Sequence, residues 1–195
     1  KSTFFDLSIN TINKMQNWNK LNTPAKIQDY INSIPFNFEK GGETLRSPHV
    51  VMTKNRAHCL EGALLASAIL SYHKIKNYLL DLKTRARAGD MDHVVCVFKI
   101  GKYFGAISKT NHAVLRYREP VYKNIRELAM SYFHEYFLDD GTKTLREYSE
   151  PLNLNDFEDG WETLEGDLWR IDEELDKVKH HKIRIGKLRK ADQVE

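Results

Sequence analysis

From Leu60 to His73 the chain is apolar on nearly every side, with Ala63, Leu64, Ala66, Ala68, Ile69 and Leu70 recurring without a hydrophilic stripe. A helix with one apolar stripe lies on a surface, whereas a helix apolar all round has to be enclosed. The segment therefore predicts a buried helix around which the other elements pack. A chain of 195 residues with 41% apolar side chains has room for one substantial core of this kind.

Several segments are available to do the enclosing. Phe5, Ile9, Ile12 and Met15 repeat at helical spacing. Thr23-Pro24 reads as an N-cap followed by proline at the first helical position, Ile27, Tyr30, Ile31 and Ile34 form one face, and Pro35 closes the helix. The stretch 36–54, with Gly41-Gly42 and Pro48, reads as a long irregular connection of the kind that often carries function. Three strands follow the buried helix, at residues 78–82, 93–99 and 103–108, and the last two are joined at Ile100-Gly101 as a hairpin. Residues 124–138 carry Ile125, Leu128, Ala129, Tyr132, Phe133 and Tyr136 on one face and predict an amphipathic helix.

Beyond residue 138 the composition changes. Residues 139–176 hold 14 acidic side chains against 3 basic ones, and residues 177–195 hold 7 Lys/Arg against 2 acids. Such blocks read as a solvated acidic arm and a basic end that can touch each other. We divide the chain accordingly, into 1–138 and a C-terminal piece, 139–195, that packs on or extends from the same domain.

The chemistry sits at the start of the buried helix, in Arg56-Ala57-His58-Cys59-Leu60-Glu61-Gly62-Ala63. A thiol attacks as thiolate, and free amides and the helix dipole at a helix N-terminus favour that charge. The same amides, that of Cys59 included, can hold an oxyanion. His93 opens the apolar run Val94-Val95-Cys96-Val97-Phe98. If Ile100-Gly101 are the two turn residues, paired residues sum to 201 and His93 faces Ser108 across the hairpin. That places a hydroxyl where a third group would orient the imidazole.

The order of cysteine helix, histidine strand and polar strand resembles the transglutaminase-like superfamily, a branch of the papain-like thiol enzymes. The resemblance covers roughly residues 20–110. It implies an α+β fold, a transglutaminase-like/papain-like core with the Cys-bearing helix packed on an antiparallel sheet and further helices at both ends. It implies Cys59 as nucleophile, His93 as general base, and Ser108 at the place where the family usually has Asp. Asn111 is an alternative orienter, since papain-like enzymes use Asn in this role, whereas Asp92 should face away from His93 on a strand. The activity implied is acyl transfer or amide/peptide hydrolysis on a protein, peptide or small amide substrate. The alternative is a catalytically degraded binding or scaffold module, because Ser108 brings no charge.

Other residues draw plainer readings. Cys96 is a core residue. His58 should diverge from Cys59 and be structural or substrate-facing. Arg116, Arg118 and Glu119 read as a solvated turn or the lining of a polar pocket. His134-Glu135 lacks the second histidine of a zinc helix, and His180-His181 have no cysteine nearby, so we expect no metal and no cofactor. A net charge of +3 is too mild to imply nucleic acid, and no apolar run is long enough for a membrane span. Two cysteines make no disulfide framework, which favours a reducing, cytoplasmic setting, although a start at Lys1 rather than Met leaves room for a removed signal.

Overall fold

The computed structural model describes residues 17–85, 89–157 and 159–192. The helix expected over Phe5–Met15 lies outside them. The described helices are α1 (Pro24–Ser33), α2 (Pro48–Lys54), α3 (Cys59–Tyr72), α4 (Ile125–Met130) and α5 (Trp169–Lys177). The strands are β1 (Asn77–Thr84), β2 (His93–Ile100), β3 (Tyr103–Ile107), β4 (Arg118–Tyr122), β5 (Leu145–Ser149) and β6 (His180–Lys182). They form one sheet in the order β4-β3-β2-β1-β5-β6, with every neighbouring pair antiparallel. The architecture is thus α+β. Among the described residues no helix is long and apolar enough to cross a membrane.

The sheet has a core layer on each face, which explains the unbroken apolar run of β2. Val94, Cys96 and Phe98 join the layer of α1, α2 and α3, while Val95 and Val97 join that of Leu128, Tyr132 and Tyr136. Strand side chains alternate between faces, so a strand covered on both sides needs apolar residues at every position. Helix α3 is buried at every position from Leu60 to Leu70. Its four fully enclosed large residues, Leu64, Leu65, Ile69 and Leu70, contribute about 1.5–3 kcal/mol each.

Four sequence expectations need correction. The connection 36–54 is not wholly irregular, because Ser47 accepts the Val50 N–H at 3.3 Å and Pro48 starts α2. This repeats at Ser47-Pro48 the signal that Thr23-Pro24 gives for α1. The helix expected over 124–138 is regular only to Met130. Beyond it the Tyr132, Phe133 and Glu135 amides bond three residues back instead of four. The Ser131 hydroxyl donates to Leu128 O at 2.7 Å and competes there with the helical ladder. Its apolar residues are nevertheless buried as a set.

The third correction concerns the hairpin. Cys96 faces Ile107 and Ile100 faces Tyr103, so paired numbers sum to 203 and the turn is Gly101-Lys102. Gly101 has φ 57°, the positive value a primed hairpin turn needs at its first central position. The fourth concerns the C-terminal piece, which is not a solvated arm. Strand β5 pairs with β1, β6 pairs with β5, and Trp161, Leu168, Ile171 and Leu175 enter the same core layer as α3. The acidic residues between them are exposed or half-buried, so the charge block conceals an apolar stripe.

Candidate active site

Cys59 is the first residue of α3, and His58 is its N-cap. The start of the helix is held by Glu61, which is fully buried. One Glu61 carboxylate oxygen accepts the His58 N–H at 3.0 Å, and the other accepts the Arg46 N–H at 3.0 Å and the Thr44 hydroxyl at 2.8 Å. Asn37 Nδ2 adds a longer contact at 3.4 Å. These donors satisfy the buried carboxylate, Arg46 Nε lies 3.9 Å from it, and it locks the residue before Cys59.

His93 and Ser108 meet as expected, though not by the expected register. His93 Nε2 lies 2.6 Å from the Ser108 hydroxyl, and both side chains are buried. The β2–β3 ladder ends at Cys96–Ile107, so Ser108 reaches the imidazole from just beyond the paired residues. With Nε2 on Ser108, Nδ1 is the ring nitrogen left for the thiol.

Ser108 is clamped by a residue that sequence patterns did not point to. The Gln28 side chain donates from Nε2 to Ser108 O at 2.9 Å and accepts the Ser108 N–H at Oε1, also at 2.9 Å. It therefore pairs with the Ser108 peptide as a neighbouring strand would. The next residue, Lys109, is buried and its ammonium donates to Ile31 O at 3.1 Å and to Ile34 O, at the end of α1. Burial and the nearby Arg116 guanidinium lower the Lys109 pKa. Its aliphatic stem crosses α3 at Gly62, where any Cβ would collide with Lys109 Cβ. Gln28, Lys109 and Gly62 together fix the hydroxyl between α1 and α3.

His58 does not diverge from Cys59. As N-cap it has extended backbone angles, φ −90° and ψ −170°, so helical side-chain directions do not apply to it. Its Nδ1 lies 4.0 Å from Cys59 Sγ and its Nε2 lies 2.7 Å from Thr44 O. Burial opposes its charge, but the contact with Cys59 and the nearby Glu61 outweigh burial and raise its pKa to about 9. For Cys59 burial likewise opposes charge, but contacts to His58 and His93 lower the thiol to about 5.

The remaining candidates separate from the site. Asn111 is exposed, and Asp92 turns to Thr84, accepting its N–H at 2.7 Å and its hydroxyl at 2.9 Å. Cys96 is sealed in the core, where burial pushes its thiol up. Arg118 packs over the Tyr132 ring, 4.2 Å from its centroid, and pairs with Glu135, so it braces β4 instead of lining a pocket. His180 Nε2 meets the buried Asp81 at 3.1 Å and ties β6 to β1.

Cys59 and His58 open into a cleft of about 1040 Å³, bounded by Val94 and Asp92 at the start of β2 and by Trp169, Asp172 and Leu175 of α5. Its described lining includes eight carboxylates (Glu39, Glu43, Asp81, Asp90, Asp92, Glu147, Asp172, Asp176) and four Lys/Arg side chains (Lys83, Arg85, Arg146, Lys182). Comparison of the sequence with protein-family models and with curated proteins returns no match.

Proposed function

We propose that the protein is a thiol-dependent acyl-transfer enzyme of transglutaminase-like type, acting on amide or ester carbonyls through Cys59. The observation that carries this reading is a thiol at a helix start, shifted down to about 5 and open to a cleft, beside a buried His93–Ser108 pair. Sγ attacks the carbonyl carbon, and its electron pair forms the C–S bond. The carbonyl oxygen gathers charge, and the unpaired amides of the first turn of α3 are its natural donors. Collapse expels the amine or alcohol and leaves an acyl-enzyme. Water or a second amine then gives up a proton to His93 and attacks, and the thiolate departs.

The substrate would be a protein, a peptide or a small amide. The excess of carboxylates around the cleft favours neutral or basic groups over acidic ones. Ser108 supports a second reading. A hydroxyl supplies no negative charge to an imidazolium, which suits a binding or scaffold module that has kept the fold and lost turnover.

An activated ester distinguishes the two. Incubation with a p-nitrophenyl ester should release p-nitrophenol and add one acyl group to Cys59, found by mass spectrometry of its peptide. Cys59→Ala should abolish the adduct and His93→Ala should leave it unresolved. An alkylatable Cys59 that never acylates would establish the second reading instead.

A further inference from the structure

We propose that His58, not His93, holds the proton of the Cys59 thiol in the resting site, so that two imidazoles divide the work that one performs in a simple dyad. The inference rests on the reading of Cys59 as the nucleophile. Its basis is the different way in which the two rings are held.

A carbonyl oxygen only accepts hydrogen bonds. His58 Nε2, at 2.7 Å from Thr44 O, must therefore be the nitrogen that carries hydrogen. In the neutral ring the lone pair then sits on Nδ1, the atom that lies 4.0 Å from Cys59 Sγ. This polarity is built in before any proton moves. The partner of His93 is the Ser108 hydroxyl, at 2.6 Å, which can donate as readily as accept. Ser108 therefore does not dictate which nitrogen of His93 carries hydrogen.

The charges around His58 point the same way. Facing His58 are Glu61 at 3.6 Å from its own helix and Glu39 at 3.8 Å from the preceding connection. Asp172 of α5 also favours its charged form. Each stabilises an imidazolium at His58. The Cys59 thiolate does so as well, while Arg46, whose Nε lies 3.9 Å from the same Glu61 oxygen, brings an opposing positive charge to the cluster.

The step is a proton transfer. The Sγ–H bond breaks, an Nδ1–H bond forms, the electron pair stays on sulfur, and the Nε2–H remains on Thr44 O. Acylation of the sulfur then removes the counter-charge, and the proton held on His58 passes to the departing group. In the second half-reaction the attacking water or amine loses one proton to His93, and its transfer through solvent to His58 restores the resting pair. When water is the nucleophile, the acid formed ionises into solvent.

The test is the pH profile of iodoacetamide alkylation in a Cys96→Ala background, with the wild-type site, His58→Asn and His93→Asn. Asparagine retains N-cap ability at position 58, and thermal unfolding of each variant reports whether the fold is intact. His58→Asn should raise the alkylation midpoint by at least about one pH unit, a tenfold loss of thiolate below the midpoint, and by more than His93→Asn does. A shift in His93→Asn equal to or larger than that in His58→Asn would overturn the assignment. The acyl-enzyme reading fails or stands separately: a His58-dependent midpoint without any acyl adduct would retire that reading and leave this one intact.

Discussion

The two cysteines of this chain are opposite in chemistry: Cys96 is buried in a core layer, whereas Cys59 is half-buried and opens into the cleft. Around Cys96, in the middle of β2, there are only apolar neighbours, and burial alone acts, pushing the thiol up. Around Cys59 burial acts in the same direction, but two imidazoles reverse it. Desolvation is thus common to both positions, and the polar contacts decide which thiol is shifted towards thiolate.

The largest expected effect is in the contrast itself. At neutral pH and in the folded protein, Cys59 should alkylate at least about 100-fold faster than Cys96, measured by peptide mass spectrometry over a time course. Comparable rates would dissolve the comparison. Gln28→Leu comes next, because it leaves the N–H and C=O of Ser108 buried without partners. At ~1–3 kcal/mol for each such group, it should cost about 2–6 kcal/mol in denaturant unfolding, and it should also slow acylation of Cys59. Loss of stability with unchanged acylation would show that the clamp does not serve the site.

Ser108→Ala removes a single hydrogen bond from His93. On ~1 kcal/mol for such a bond, the acylation rate should fall about fivefold, read from p-nitrophenol release. A fall of several orders of magnitude would mean that Ser108 does more than orient the ring. Smallest is Cys96→Val, a volume-conserving exchange in an apolar setting, with an expected change below about 1.5 kcal/mol and unaltered Cys59 alkylation.

The same contrast explains what could be read from the chain. The apolar runs of α3, β1, β2 and β3 were legible because burial on all sides leaves no other pattern. Cys59 and His93 were legible by their places at the openings of two such runs. The hairpin turn lies one residue later than the spacing predicts, since Ile100-Gly101 and Gly101-Lys102 differ only in where glycine sits in the turn, and Ser108 meets His93 from just beyond the β2–β3 ladder. Gln28 was not legible at all. It lies 80 residues from Ser108, and a polar residue on the buried face of α1 offers no periodic signal. The divergence expected of His58 rests on helical side-chain geometry that does not hold at an extended N-cap. Leu168, Ile171 and Leu175 were hidden among 14 acids, because net charge averages over faces that the helix separates.

The most direct test of the account is the ultraviolet titration of the thiolate, taken as the difference between the wild-type protein and Cys59→Ser. Thiolate absorbance should disappear only as the pH is lowered through about 5 and should hold steady from there towards about 9, where His58 loses its proton. A midpoint at the ordinary value of a free cysteine would contradict the account, since Cys59 would then be a thiol like any other at the pH where it is required to attack.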